Sequence, residues 1–372
     1  MTKRREVKAQ EFSAINLGEL YQRTPVRRLT SDDRIVIFSD LHMGNGSRTD
    51  DFVHNGNLFS DVIRNYYAPS DYHLILNGDV EDLQRHPMKS IVRRWPQVYH
   101  ALREVSLRGG ITRIVGNHDI DLLEGGPSVT PLAMSGHESW PETFMEEVYE
   151  GLRLNCDSGE LFVFHGHQSS RWYEKHNDLI RLLLRYIANP LRIGNRTVAA
   201  DSRKQFHVEQ RAYEFATAHK IMAVIGHTHR PLFESMSKVD ALQFEIERLC
   251  RKYPKSKKPG KIEKQIGWLK TELMESRSEE PEENDSTSLY REHLLVPSMF
   301  NSGCVLGKRG MTCLEIEAGK LRLVYWYDTT RKQKYIQYRA DSEEELSGTP
   351  YRRTVIKQDS LEYIFSRIRL LA

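Results

Sequence analysis

Five short apolar runs in this chain end in the same kind of residue. RIVIFSD (34–40), YHLILNGD (72–79), ITRIVGNHD (111–119), ELFVFHGH (160–167) and IMAVIGHTH (221–229) each carry aliphatic and β-branched residues into a cluster of Asp, Asn and His. Continuous apolar runs of this length suit strands buried on both faces. Between the first three lie helically patterned segments, NLFSDVIRNYYA and SIVRRWPQVYHALREVSLRGG, the second closing on a Gly-Gly stop. Strand and helix in alternation predict an α/β sheet with crossover helices. Ligands of such sheets bind beyond the carboxyl ends of the strands, so the five endings are expected to meet at one edge.

The residues collected there define a chemistry. They are Asp40, His42, Asp79, Asn117, His118, Asp119, His165, His227 and His229. Carboxylates, imidazoles and an amide are ligands for hard or borderline divalent cations, and two such cations about 3.5–4 Å apart need a bridging carboxylate and several further ligands each. No cysteine falls in the set, which argues against a structural zinc site. At the fourth ending either His165 or His167 can be the ligand, with His165 favoured. Arg230 and Asp51 are open to substrate-contact or ordinary surface roles, and Asn301 in FNSG marks a turn expected to face the site.

The set D-x-H (Asp40, His42), G-D (Asp79), G-N-H-D (Asn117, His118, Asp119), H-G (His165) and G-H-T-H (His227, His229) resembles the calcineurin-like metallophosphoesterase superfamily in order and spacing. The resemblance implies a two-layer β-sandwich flanked by helices, carrying helical insertions. It also implies a dinuclear centre: Asp40, His42 and His229 on one metal, Asn117, His165 and His227 on the other, and Asp79 bridging. His118 is then the acid or transition-state stabiliser, oriented by Asp119. The implied reaction is hydrolysis of a phosphate ester or pyrophosphate by metal-activated hydroxide. Mn²⁺ is the first expectation for the metal, although the same ligands accept Fe, Zn, Co or Ni.

Residues 30–372 are expected to form one domain with two interruptions. The first, 168–219, is rich in helix formers. In it Leu183, Ile187 and Leu191 recur at helical spacing beside Arg181, Arg185 and Arg192, a pattern that suits a cap over an anionic or lipidic substrate and also an ordinary core-facing helix. The second, 235–291, reads as a charged helical hairpin followed by the acidic low-complexity stretch RSEEPEENDSTS. SDLH, the cap-like insert and GHTHRP are similar to UDP-2,3-diacylglucosamine pyrophosphohydrolases, which act on a lipid-linked pyrophosphate. That family usually carries arginine at the position of His118.

Composition narrows the partners. A formal net charge of +3 is too small to indicate nucleic acid, and the basic turn PKSKKPGK lies beside the acidic stretch. A phosphorylated small molecule or lipid-linked substrate fits better. The four cysteines are scattered without a C-x-x-C pair, and neither an apolar leader nor a membrane-spanning run is visible. The chain is therefore expected to be cytoplasmic, with peripheral membrane contact through the basic segment left open. A non-catalytic scaffold on the same fold is the alternative of a different class, and it should have lost ligand residues that this chain retains.

Overall fold

The computed structural model describes residues 2–123, 147–170, 202–233, 246, 249, 253, 259–278, 296–308, 310–331 and 343–372. The chain divides into two compact units, one formed by residues 1–233 and 297–370, the other by 234–296.

In the larger unit the apolar runs become strands in two sheets. One sheet has the order β12 (Glu343–Glu345), β13 (Tyr351–Ser360), β11 (Lys320–Asp328), β10 (Met311–Glu317), β2 (Ile35–Phe38), β3 (His73–Asn77), β4 (Ile111–Ile114) and β5 (Glu147–Tyr149). The other runs β1 (Val26–Arg28), β6 (Gly151–Cys156), β7 (Gly159–Phe164), β8 (Met222–Ile225) and β9 (Met299–Asn301). Strands β2 to β5 are parallel, as are β7, β8 and β9. The five polar endings therefore belong to two sheets rather than to one. They still meet, because β2, β3, β4, β7 and β8 all end toward the same place.

Seven α-helices lie among the described residues. Helix α1 spans Thr2–Arg23, α2 Gly56–Val62, α3 Met88–Arg94, α4 Pro96–Ser106, α5 Ser202–His219, α6 Pro259–Ser278 and α7 Leu361–Leu371. Val36, Phe38, Leu74 and Leu76 pack with Leu58, Val62, Val98 and Leu102 of α2 and α4. Phe162, Phe164, Ala223 and Ile225 pack with Leu17 and Leu20 of α1 and with Val208, Ala212 and Phe215 of α5. The residues of opposite parity, Ile35, Ile37, Ile75, Leu161, Val163 and Val224, are also completely buried, which places them between the sheets. Asn77 of β3 crosses that layer by donating to the Phe164 carbonyl of β7 at 3.1 Å.

The strands after residue 310 do not form a layer of their own. β10 pairs antiparallel with β2, so they extend the first sheet, while β9 alone joins the second. The larger unit also begins well before residue 30, because Leu17 and Leu20 are core residues and Asn16 donates to the Gln168 carbonyl at 2.7 Å.

The smaller unit contains α6, whose Ile262 and Leu269 are buried with Leu249. Of the expected cap, 171–201 lies outside the described residues, as does 279–295, which holds all but the first two residues of the acidic stretch. Among the described residues no helix is long and apolar enough to cross a membrane.

Candidate metal centre

Backbone geometry singles out the site before its side chains do. Asp40, His42, Asp79, His227 and His229 all adopt positive φ, between 45° and 63°. Left-handed backbone costs a non-glycine residue of order 1–3 kcal/mol and persists where the surroundings enforce it. Enforcement comes from neighbouring loops, which continue pairing past the strand ends. The Asp40 N–H donates to the Gly78 carbonyl at 3.0 Å, and the His42 N–H to the Asp79 carbonyl at 2.9 Å. Glycine is required at two points for close approach. A Cβ at Gly116 would lie 2.1 Å from Asp79 Oδ1, and one at Gly226 would lie 2.7 Å from Asp40 Oδ2.

Side chains from all five endings then converge. Asp40 Oδ1 lies 3.0 Å from His229 Nε2, and His42 Nε2 lies 3.1 Å from His229 Nε2. Asp79 Oδ2 is central, 3.5 Å from His42 Nε2 and 3.2 Å from His165 Nε2, and His165 Nε2 is 3.3 Å from His227 Nδ1. Ligands about 2.1 Å from one cation and at tetrahedral or octahedral angles lie about 3.0–3.4 Å apart. Most of the spacings lie near that, Asp40 Oδ1 and His42 Nε2 being wider at 3.8 Å, and three groups, Asp40–His42–His229, Asp79–His165–His227 and His42–Asp82–His118, bring ligand atoms close enough together to hold a cation. Asn117 adds a buried Oδ1 with no hydrogen-bond partner among the described residues. The residues present thus fit a divalent metal centre.

The remaining carboxylate oxygens hold the frame. Asp40 Oδ2 accepts from the His227 N–H at 2.9 Å, and Asp79 Oδ1 from the His118 N–H at 2.8 Å. All these groups are buried, so their charges act strongly on one another. Burial alone would raise Asp40, but the His229 and His165 rings outweigh it and hold the carboxyl well below the usual range. Burial likewise opposes ionisation of His165, yet Asp79 and Asp40 push the ring up to about 10. For His227, burial and the neighbouring His165 act together and lower it well below its ordinary value.

His118 and Asp119 separate in role. Nδ1 of His118 lies 2.8 Å from Asp82 Oδ1, and Nε2 faces the centre, 4.0 Å from Asp79 Oδ2. Asp119 therefore does not orient the ring. Its carboxylate accepts from the backbone N–H groups of Gly116 at 2.6 Å, Asp79 at 3.3 Å and Val80 at 2.8 Å, tying the end of β3 to the end of β4. Burial would lower His118, but Asp79 and Asp82 push it up to about 9.

Other positions fall outside the cluster. The His167 ring centroid lies 5.5 Å from that of His165 and 6.4 Å from that of His227, and burial followed by the charge of His165 pushes it down to about 3. Asp51 is exposed, whereas its neighbour Asp50 caps the loop after β2 through the Gly46 and Phe52 N–H groups. Arg230 pairs with Glu209 of α5. Asn301 braces the GHTH loop from behind, donating to the Gly226 carbonyl at 3.1 Å and to Thr228 Oγ1 at 2.8 Å. Sequence reasoning missed Asp82 and Glu209. Only Asp82 left a signal, as a second acidic residue three positions after Asp79.

A two-sheet α/β layer structure with a buried Asp/His centre at its strand ends defines a metallophosphoesterase fold. The family model described as calcineurin-like phosphoesterase matches residues 33–231, more than half of the chain, and the chain belongs to that family. No curated protein matches it. Among solved structures, one match is a Vps29 single mutant from Entamoeba histolytica, 10% identical, covering 79% of this chain and 92% of that one, with a TM-score of 0.29.

Proposed function

We propose that this protein is a dinuclear-metal-dependent phosphoesterase that hydrolyses a phosphate ester or pyrophosphate. The observation that carries the reading is the placement of Asp79 Oδ2 between two histidine groups, 3.5 Å from His42 Nε2 and 3.2 Å from His165 Nε2. Asp40, His42 and His229 would hold one cation, Asn117, His165 and His227 the second, and Asp79 both. Mn²⁺ suits this mixed N/O set, as do the other divalent ions of borderline softness. When bound, two such ions supply Lewis acidity and make water a nucleophile near neutral pH.

The chain's own residues do the rest. Positive-φ backbone at five ligand positions preorganises the donors, so the site need not reorganise during the reaction. His118 presents Nε2 to the centre while Nδ1–H donates to Asp82. An imidazolium held in that pose can stabilise a developing negative oxygen or give its proton to a leaving group.

The test is metal content by elemental analysis, followed by Mn²⁺-dependent hydrolysis of bis-p-nitrophenyl phosphate, p-nitrophenyl phosphate and a UDP-diacylglucosamine pyrophosphate. Two metals per chain with turnover that disappears in Asp79→Ala and His227→Ala is the expected result. Selective cleavage of the pyrophosphate would identify a lipid-linked substrate. A chain that binds no metal and turns over nothing would replace the enzyme reading with that of an interaction scaffold.

A further inference from the structure

His227 and His229 both sit in left-handed backbone, with φ of 63° and 57°. Thr228 between them is fully buried and held from two sides. Its hydroxyl accepts from Asn301 Nδ2 at 2.8 Å and donates to Glu209 Oε1 at 2.8 Å, and its carbonyl accepts from Gln205 Nε2 at 2.9 Å. Glu209 is itself fully buried on α5, and its second oxygen pairs with Arg230. Hydrogen bonds thus run from Asn301 to Thr228 to Glu209, and Arg230 donates to the same carboxylate from the other side. Two residues of α5 therefore grip the one residue that separates the two histidines.

We infer that Glu209 is a positioning residue for the metal centre, acting through Thr228 on the strained backbone that presents His227 and His229. The inference rests on the metal-centre reading above and adds to it a residue from a helix that carries no ligand. A buried carboxylate is costly unless its partners require it, and here it meets two donors from the same four-residue loop. Without that anchor the Thr228 peptide can relax toward ordinary φ values. His227 and His229 would then turn away from His165 and Asp40. Groups that orient metal ligands without touching the metal typically control affinity by about 10–100-fold.

The test is Mn²⁺ titration of the full chain by calorimetry, in the wild type and in Glu209→Ala, Thr228→Val and Thr228→Ser, with circular dichroism and thermal unfolding as fold controls. Glu209→Ala and Thr228→Val are expected to weaken binding by about 10-fold or more. Thr228→Ser keeps the hydroxyl and is expected to bind like the wild type. If Glu209→Ala fails to fold, Thr228→Val against Thr228→Ser decides alone, since valine preserves both the shape of threonine and the Glu209–Arg230 pair. Wild-type affinity in a folded Thr228→Val would overturn the positioning role. Absence of Mn²⁺ binding by the wild type would instead overturn the metal-centre reading.

Discussion

Nδ1 of His118 lies 2.8 Å from Oδ1 of Asp82, a carboxylate only three residues beyond the central Asp79. One short segment thus carries both the carboxylate at the heart of the cluster and the one that aims the ring next to it. Gln84 of the same segment donates to the Asn117 carbonyl at 2.7 Å, so the turn bearing Asn117 and His118 rests on residues 82–84.

Replacing Asp82 by Asn removes the charged partner of His118 Nδ1 and one of the two carboxylates, after Asp79, that raise the ring, and leaves the proposed metal ligands in place. On the proposed mechanism kcat falls by about 100-fold or more, the contribution usual for a positioned acid or base. Metal content stays at the wild-type level. Steady-state kinetics together with elemental analysis check this, and loss of metal along with activity would assign Asp82 to the ligand frame instead.

Asp119→Ala should behave differently, because that carboxylate accepts three backbone N–H groups and is fully buried. Leaving buried donors unsatisfied costs about 1–3 kcal/mol each. The expected outcome is a loss of several kcal/mol in urea unfolding, and Asp119→Asn should recover part of it by keeping an acceptor oxygen. A stability change below about 1 kcal/mol would contradict the frame role.

The strand endings were legible because they are local patterns: an apolar run followed by polar residues fixes both the strand and the end at which its chemistry sits. What brings β10 beside β2 rather than into another layer is pairing such as Leu314 with Ile37, which no local pattern encodes. Helix α1 was missed for a similar reason. Leu17 and Leu20 gain meaning only when Phe162 and Phe215 are there to receive them. Asp82 reaches His118 across 36 positions and Glu209 reaches Thr228 across 19, so these contacts are products of the fold. The orienting role of Asp119 was implied by the resemblance alone, and its carboxylate instead accepts from the Gly116, Asp79 and Val80 N–H groups.

His73, at the start of β3, gives the protein an acid-sensitive point away from the centre. Its Nδ1–H donates to the Gly109 carbonyl at 2.9 Å, which leaves Nε2 to accept from Thr112 Oγ1 at 2.8 Å. Burial, aided by the charge of Arg27, pushes the ring down to about 4. An unfolded chain takes up this proton near pH 6.5, before the folded one does. Stability from the neutral ring is therefore full above about pH 6.5 and is lost as pH falls toward 4, by up to about 3 kcal/mol. Urea unfolding of wild type and His73→Gln at pH 7 and pH 4.5 should show a shallower decline in the variant. Parallel declines would remove His73 as the cause.

Behind the centre, Arg113 of β4 and Glu81 form a completely buried ion pair at 2.6 Å, and Tyr99 of α4 donates to the same carboxylate at 3.0 Å. Glu81 follows Asp79 by two residues, so the pair also fixes the loop on which the central carboxylate stands. Removing one partner leaves the other charged and desolvated, and Glu81→Ala is expected to cost about 3–5 kcal/mol. Removing both charges in Glu81→Ala with Arg113→Met should cost less, because the desolvation penalty disappears together with the attraction. Equilibrium unfolding of the single and double variants tests this through their coupling energy. Additive losses would mean that the two side chains act independently. A double variant more stable than Glu81→Ala would show that the lone arginine was the dominant cost.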